Sequence, residues 1–168
     1  MPLDPHARML RDAYGRYATG VAVITTVTPT GVPVGLTVNS FSSVSLDPPL
    51  VLWSLMRSSA SLSAFRDAGR FAVNVLADDQ QHLSARFASR IADRFAGIEW
   101  VPGLGGVPLL PGCLAHFECS THAHVEAGDH MVVLGRVQRF AHRDGAPLLF
   151  FASRYAGLLQ APASVTAA

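Results

Sequence analysis

The segment from Gly35 to Leu52, reading GLTVNSFSSVSLDPPLVL, alternates short polar side chains with apolar ones. Successive side chains of an extended chain point to opposite faces, so this alternation separates a polar face from an apolar one. The predicted polar face carries Gly35, Thr37, Asn39, Phe41, Ser43, Ser45 and Asp47, and the predicted core face carries Val34, Leu36, Val38, Val44 and Leu46. Short hydroxyls and an amide beside a glycine favour a flat polar partner that lies close to the backbone. We therefore predict that this polar face, a ladder of short polar side chains (the polar ladder), binds a ligand.

Length and composition limit the classes of protein. The 168 residues suffice for one domain with a sizeable core, predicted to span 1–168. A net charge of +1 without a basic run argues against binding to nucleic acid or an anionic membrane. The longest apolar run is far shorter than the roughly 20 residues of a membrane helix. With no apolar signal-peptide segment and only two cysteines, we expect a cytoplasmic, reduced protein.

Residue periodicity predicts a mainly β chain with peripheral helices. Apolar residues at helical spacing indicate a first helix at about 5–18, and serines before an apolar segment indicate a second. The predicted strands are 21–27, 32–39, 50–56, 70–76, 113–125, 130–140 and 147–151; the further helices are 59–69 and 78–91; and 97–112 is a long loop. We expect the tail after about 160 to be disordered. Many strands joined by short turns favour an antiparallel barrel.

An anion site is predicted after the third strand. Arg57 is followed by the run Ser58 to Ser61 and then by a helix, so hydroxyls, amides and a guanidinium surround one point. The alternative is that Ser58 or Ser59 only caps the helix. A phosphate here and a flat ring on the polar ladder would together describe a flavin mononucleotide.

Histidines, cysteines and glycines offer weaker signals. Three histidines share an outward polar face with Glu118 and Glu126, so a solvated face is favoured over a metal site; they are His116, His122 and His124. His130 follows the turn signal Gly128-Asp129 and could approach a bound ring or be structural. Cys113 and Cys119 are expected to be buried, inert thiols. The glycine cluster at 103–106 precedes no helix, so it is neither a Rossmann turn nor a phosphate-binding loop.

Several runs, taken together and in order, resemble the flavin reductase family, the small NAD(P)H-dependent components of two-component flavin monooxygenases. They are GLTVNSFSSVSLDPPLVL, RSSASLSAF, RFAVNVLADDQ, LSARFAS, DRFAG and AGDHMVVLGRV. The resemblance extends from about Tyr14 to Leu158. It implies an FMN-binding split β-barrel, antiparallel and of Greek-key type, in a homodimer that holds flavin near the subunit interface.

The resemblance also implies site residues, position by position. The residues facing the flavin ring would be Thr37, Val38, Asn39, Ser40 and Ser45. The ribityl chain and phosphate would meet Ser54, Arg57, Ser59, Ala60 and Ser61. Phe87 and Arg90 would be further flavin neighbours, His130 would position the nicotinamide, and Tyr155 would contact it. Ala156 stands where the family often has glycine.

The implied activity is hydride transfer from NADH or NADPH to FMN or FAD, with the reduced flavin passed to a partner monooxygenase. Two alternatives remain open from the residues alone. The flavin could be a tightly bound prosthetic group acting on an organic substrate, or the chain could be a flavin-binding module without turnover.

Overall fold

The computed structural model describes residues 4–158, which form three helices and twelve strands. The helices are α1 (Pro5–Tyr14), α2 (Leu62–Asp67) and α3 (Gln81–Ala88), with 3₁₀ turns at Asp78–Gln80 and Leu104–Gly106. The strands are β1 (Thr19–Gly20), β2 (Ala22–Val27), β3 (Pro33–Val38), β4 (Ser42–Leu46), β5 (Pro49–Met56), β6 (Arg70–Val75), β7 (Val101–Pro102), β8 (Pro108–Leu109), β9 (Ala115–Ala127), β10 (His130–His142), β11 (Leu149–Phe151) and β12 (Arg154–Ala156). The predicted tail after about 160 lies outside the described residues.

A seven-stranded antiparallel sheet in the order β3-β2-β6-β9-β10-β5-β4 dominates the fold. Its edge strands β3 and β4 are consecutive in the chain and are joined only by residues 39–41. In a flat sheet, strands about 4.8 Å apart would place these edges about 29 Å from each other. The connection spans at most about 14 Å from Val38 to Ser42. The sheet must therefore curl until its edges meet, which fits the predicted split barrel.

Two hydrophobic clusters lie on opposite faces of this curled sheet, and β2 contributes to both. Ile24 points into the first cluster, where Trp53, Phe65 and Phe71 pack edge to face. Val23 points into the second cluster, which lies beneath α3. Burial on both sides thus explains why β2 is a continuous run of β-branched and apolar residues. The predicted class, mainly β with peripheral helices, is confirmed.

The helices are shorter than predicted. The first ends at Tyr14 rather than near residue 18, and the second begins at Leu62 rather than at Ser59. The third stops at Ala88, because Ser89 adopts an extended backbone. A two-residue hairpin turn, with Gly128 at a φ of 60°, joins β9 to β10 as predicted.

The prediction that Val44 and Leu46 belong to the core is wrong for the single chain. They are 46% and 95% exposed. The polar ladder is two strands rather than one, and a register shift between Ser43 and Ser45 interrupts the second. The alternation therefore does not continue in phase from β3 into β4. Strand β5 likewise buries only one face in this chain, formed by Val51, Trp53 and Leu55.

Glu118 is also misplaced by the prediction, which put it on a solvated face. Its side chain is buried, accepts the Leu104 N–H, and pairs with the Arg139 guanidinium, one arm of which lies at 2.8 Å. Burial alone would raise the pKa of the Glu118 carboxyl, but the hydrogen bonds from Arg139 and Leu104 outweigh it and lower that pKa. The predicted loop 97–112 contains the small β7–β8 hairpin, and this part of the chain covers Glu118.

Candidate functional site

A cavity of about 1540 Å³ opens where the two edges of the sheet meet. Three walls enclose it. The first is β3 with the connection that follows it, the second is the end of β5 with the serine-rich turn before α2, and the third is the end of α3 with residues 90–96. His130, at the start of β10, completes the rim. The predicted polar ladder and the predicted anion site thus face one shared space.

The first wall carries an amide and hydroxyls of the predicted ligand-binding face. Ser40 ties the connection between β3 and β4 to β5, because its hydroxyl accepts the Ser54 N–H at 2.9 Å. Thr37 donates its hydroxyl to the Ser84 carbonyl of α3 at 2.7 Å. The exposed Asn39 side chain makes no hydrogen bond to any other described residue. Asn39 is therefore the polar side chain of this wall that remains available to a ligand.

The second wall is a tight serine-rich turn rather than a helix end. Ser59 N–H donates to the Met56 carbonyl at 2.9 Å, and the Ser59 hydroxyl accepts the Ser61 N–H at 3.2 Å. The alternative that Ser58 or Ser59 caps the helix is wrong, because Ser61 is the N-cap residue of α2 and, among the described residues, no side chain caps the helix. Ser58 and Ser63 also line the cavity and are exposed. Four hydroxyls consequently lie along one side of the space.

The third wall depends on close packing against glycine. Phe87 is 1% exposed, and a Cβ added to Gly35 would lie 2.8 Å from its Cε1 atom. Phe95 stacks edge to face on Phe87 with ring centroids 5.0 Å apart. Arg94 donates to the Gly35 carbonyl at 2.8 Å, which ties the segment after α3 to β3. Phe87 thus supports the wall from within the core.

Arg90 brings a positive charge to this wall. It is exposed and lines the cavity, and within residues 4–158 no carboxylate lies within 4.0 Å of its guanidinium. The neighbouring arginines are occupied, since Arg86 donates to the carbonyls of Arg94 and Ala96. Arg90 is therefore suited to an anionic group of a ligand.

His130 lines the cavity, and its ring is hydrogen-bonded to the neighbouring Asp129. Its Nδ1 lies 2.7 Å from Oδ1 of Asp129. This hydrogen bond holds the pKa of the Asp129 carboxyl below its usual value. Sequence reasoning did not assign Asp129 a role, although its place next to His130 in the turn was visible.

Eleven of the fourteen predicted site residues line the cavity: Thr37, Val38, Asn39, Ser40, Ser54, Ser59, Ala60, Ser61, Phe87, Arg90 and His130. Ser45, Arg57 and Tyr155 lie outside its lining. Ser45 donates to the Pro48 carbonyl at 2.6 Å, Arg57 pairs with Glu126 at 3.6 Å, and Tyr155 shares a 2.8 Å hydrogen bond with Ser84. Sequence reasoning missed the wall at 91–96, of which the run DRFAG was the visible signal.

The cysteines are buried free thiols, as predicted. Burial raises the pKa of both the Cys113 and the Cys119 thiol to about 12. Within residues 4–158 no group of three potential His, Cys, Asp or Glu ligands could hold a metal ion. None of the helices between these residues has the length and apolar character to span a membrane.

Known structures share this fold over nearly the whole chain. Nitrilotriacetate monooxygenase component B of Mycobacterium thermoresistibile superimposes with a TM-score of 0.88 at 44% identity, over 95% of this chain and 92% of that one. The Streptomyces globisporus NADH:FAD oxidoreductase SgcE6, in complex with NAD and FAD fragments, gives a TM-score of 0.87 at 36% identity, over 98% and 99%.

Proteins with similar sequences include further flavin reductases. FMN reductase (NADH) SmoA of Agrobacterium fabrum is 51% identical over 150 residues, which cover 89% of this chain and 85% of that protein. A probable flavin reductase of Rhizobium meliloti is 49% identical over 137 residues, and there this chain spans only 43% of the relative's length. The family model described as flavin reductase like domain matches residues 14–159. The chain belongs to the flavin reductase family.

Proposed function

We propose that this protein is an NAD(P)H-dependent flavin reductase that supplies reduced FMN or FAD to a partner monooxygenase. The observation that carries the proposal is the shared cavity, in which an amide, a row of hydroxyls and a histidine face one space. Its volume of about 1540 Å³ exceeds the roughly 300–1,000 Å³ of most small-molecule sites. The space suffices for a flavin together with the nicotinamide end of a second ligand.

The donor set fits a flavin. Asn39 and the main chain around Ser40 offer hydrogen bonds to a polar ring edge, and the serine-rich turn offers hydroxyls to a ribityl chain. Arg90 supplies the positive charge that a phosphate requires. Bound flavin accepts hydride from the reduced nicotinamide, so the cofactors supply the redox chemistry.

The residues of this chain act by binding and orientation. Ser40 keeps the first wall in register with β5, and the Phe87 packing fixes the third wall, so the cavity keeps its shape before ligands arrive. His130 at the rim would position the nicotinamide against the exposed flavin face. Holding the two rings at a reacting distance of about 3–3.5 Å would lower the barrier through proximity and orientation.

Purified protein given NADH or NADPH, with and without added FMN or FAD, tests the proposal. Turnover that rises with added flavin supports a flavin reductase. A yellow protein that oxidises NADH without added flavin indicates a prosthetic group instead. A protein that binds flavin but oxidises neither nucleotide is a binding module, and that result would overturn the proposal.

We infer that the protein is a homodimer whose interface adjoins the cavity. Val132 pairs with Val125 on β9 and with Ser54 on β5, and Leu134 pairs with Leu52. Paired residues in neighbouring strands share a face, so these side chains form one outward apolar surface. Val125 is 50% exposed on it. Because His130 lies on the same side of β10, this surface continues to the cavity rim.

Sedimentation analysis tests the dimer. We expect wild-type protein to sediment at twice the mass of the chain and Leu134→Asp to be monomeric, since the charge would be buried at the interface. Val101→Asp is the matched control, because Val101 is 54% exposed on the β7–β8 hairpin, away from this surface. Monomeric wild-type protein would contradict the inference.

A further inference from the structure

The carboxylate of Asp129 determines which ring nitrogen of His130 is available to the cavity. A carboxylate only accepts hydrogen bonds, so the proton in the 2.7 Å contact with Nδ1 belongs to the imidazole. In the neutral ring, Nε2 is then left with a lone pair. His130 lines the cavity, whereas the Asp129 side chain is 85% exposed. The acceptor Nε2 therefore belongs to a residue that lines the cavity, whereas the Asp129 carboxylate that makes Nε2 the acceptor lies outside the cavity lining.

The backbone holds this carboxylate in place independently of the imidazole. Asp129 is the second residue of the turn between Ala127 and His130, and Gly128 supplies the positive φ that the turn needs. The Asp129 carbonyl also accepts the Arg57 N–H at 2.9 Å. The main chain of Asp129 is thus fixed from both sides, and its side chain reaches the ring from a defined position.

The other charged groups near this turn are paired with each other. The Arg57 guanidinium lies 3.6 Å from a Glu126 carboxylate oxygen. In the part of the chain that the structure describes, Asp129 is the one carboxylate within 4.0 Å of a His130 ring nitrogen. Removal of Asp129 consequently leaves Nδ1 without a carboxylate partner.

We propose that Asp129 is a positioning residue, which keeps neutral His130 in its Nδ1–H form so that Nε2 accepts a hydrogen bond from the carboxamide N–H of the nicotinamide. This role rests on the proposed function, in which His130 meets the nicotinamide. The proposal gives an exposed carboxylate a role at a site that lies beside it. Its charge does not need to touch the substrate, because it acts through the imidazole.

Long-range proton–nitrogen NMR spectra of the histidine rings test the tautomer directly, without turnover. Spectra are recorded at about pH 8, above the usual histidine pKa, and the His130 signals are identified by their loss in His130→Gln. We expect the Nδ1–H form in the wild type and a shift toward Nε2–H in Asp129→Ala. Asp129→Asn keeps an acceptor oxygen of the same reach and should retain the Nδ1–H form. Asp144→Ala, which removes an exposed carboxylate away from the cavity lining, should leave the signals unchanged.

Steady-state kinetics test the consequence. In Asp129→Ala we expect the KM for NADH to rise about 3–10-fold, the range for one lost hydrogen bond, with the KM for flavin unchanged and kcat within about twofold. Asp129→Asn should recover most of the loss. An active wild type with an Nε2–H ring, or an Asp129→Ala protein with an unchanged KM for NADH, overturns the positioning role alone. A wild type that oxidises neither NADH nor NADPH with any flavin overturns the proposed function as well, whereas the spectra then still report the tautomer.

Discussion

The hydroxyl of Ser40 bridges the connection between the two edge strands and strand β5 by taking the place of a backbone group beside Ser54. It accepts the Ser54 N–H at 2.9 Å and lies 3.4 Å from the Ser54 carbonyl oxygen. Both residues line the cavity. The contact between Ser40 and Ser54 thus supports the curled sheet and also shapes the ligand site.

Ser40→Ala should lower both the free energy of unfolding and the affinity for flavin. Loss of a side-chain hydrogen bond of this kind costs about 0.5–1.5 kcal/mol. Urea denaturation and flavin fluorescence titration measure the two effects. Ser42→Ala is the matched control, because Ser42 is exposed and lies outside the cavity lining, and among residues 4–158 its hydroxyl bonds only to the neighbouring Ser43 carbonyl. Equal effects of the two substitutions would contradict the bridging role.

Gly35→Ala should destabilise the fold by about 1–3 kcal/mol, the usual range for overpacking. The added methyl would lie 2.8 Å from Cε1 of Phe87 and 3.3 Å from Phe95, and both rings belong to the packed wall of the cavity. Thermal unfolding in the absence of flavin measures the loss. Gly69→Ala serves as the control, since a Cβ there meets no atom within 4 Å. A variant as stable as the control would show that α3 shifts without cost.

Asn39→Leu should weaken flavin binding more than it weakens folding. The Asn39 side chain is exposed at the cavity, so its replacement should change the free energy of unfolding by no more than about 0.5 kcal/mol. Loss of its hydrogen bond to the ring should lower flavin affinity about 3–10-fold. Asn39→Ser, which keeps a small polar group, should give a flavin affinity between those of the wild type and Asn39→Leu. If the flavin-free variant loses enough melting temperature to explain the weaker binding, Asn39 is structural.

Glu118→Gln should remove a contribution to stability that depends on pH. The pKa of Glu118 lies below its usual value in the folded chain, so its contribution is complete above the unfolded pKa of about 4.3 and is lost as the pH falls through the lower folded pKa. The difference in unfolding free energy between wild type and variant should be about 1.5–3 kcal/mol at neutral pH and should shrink in acid. Denaturation from about pH 7 to pH 3 measures it. A difference that is constant over that range would argue against an ionised pair with Arg139.

Cys113 and Cys119 should not react with thiol reagents in the folded protein. Burial raises both pKa values to about 12, so almost no thiolate exists at about pH 8. A disulfide reagent such as DTNB should therefore label neither thiol until the protein is unfolded, and then label both. NADH oxidation should survive the same treatment. Rapid labelling of native protein would contradict the burial.

Residue patterns within single segments predicted much of the fold. The β-branched run at Ala22–Val27 forms a strand, and the turn residues Gly128-Asp129 form a hairpin turn. Val44 and Leu46 defeated the same reasoning, since alternation cannot reveal that a chain leaves one edge of a sheet and rejoins it at the other. Glu118 defeated it as well, because alternation along β9 cannot reveal that the preceding loop folds back over this side chain.

The site was predictable to the same extent as the fold: local residue patterns were visible in the sequence, and contacts between separate segments were not. Asn39, Ser59 and His130 come together because each stands at or near the end of a strand that meets the cavity. Their polar character was visible locally, and the family resemblance supplied their roles. Arg94 was not predicted, since its bond to the Gly35 carbonyl depends on a fold in which residues far apart in sequence touch.

The three-residue link between β3 and β4 makes the binding site and the closure of the sheet a single mechanical unit. Neither edge strand can separate from its neighbours without pulling on residues 39–41, of which Asn39 and Ser40 line the cavity. A ligand bound there should therefore reduce local unfolding of β3 and β4 together. Amide hydrogen exchange should slow in both strands, although they are not paired with each other.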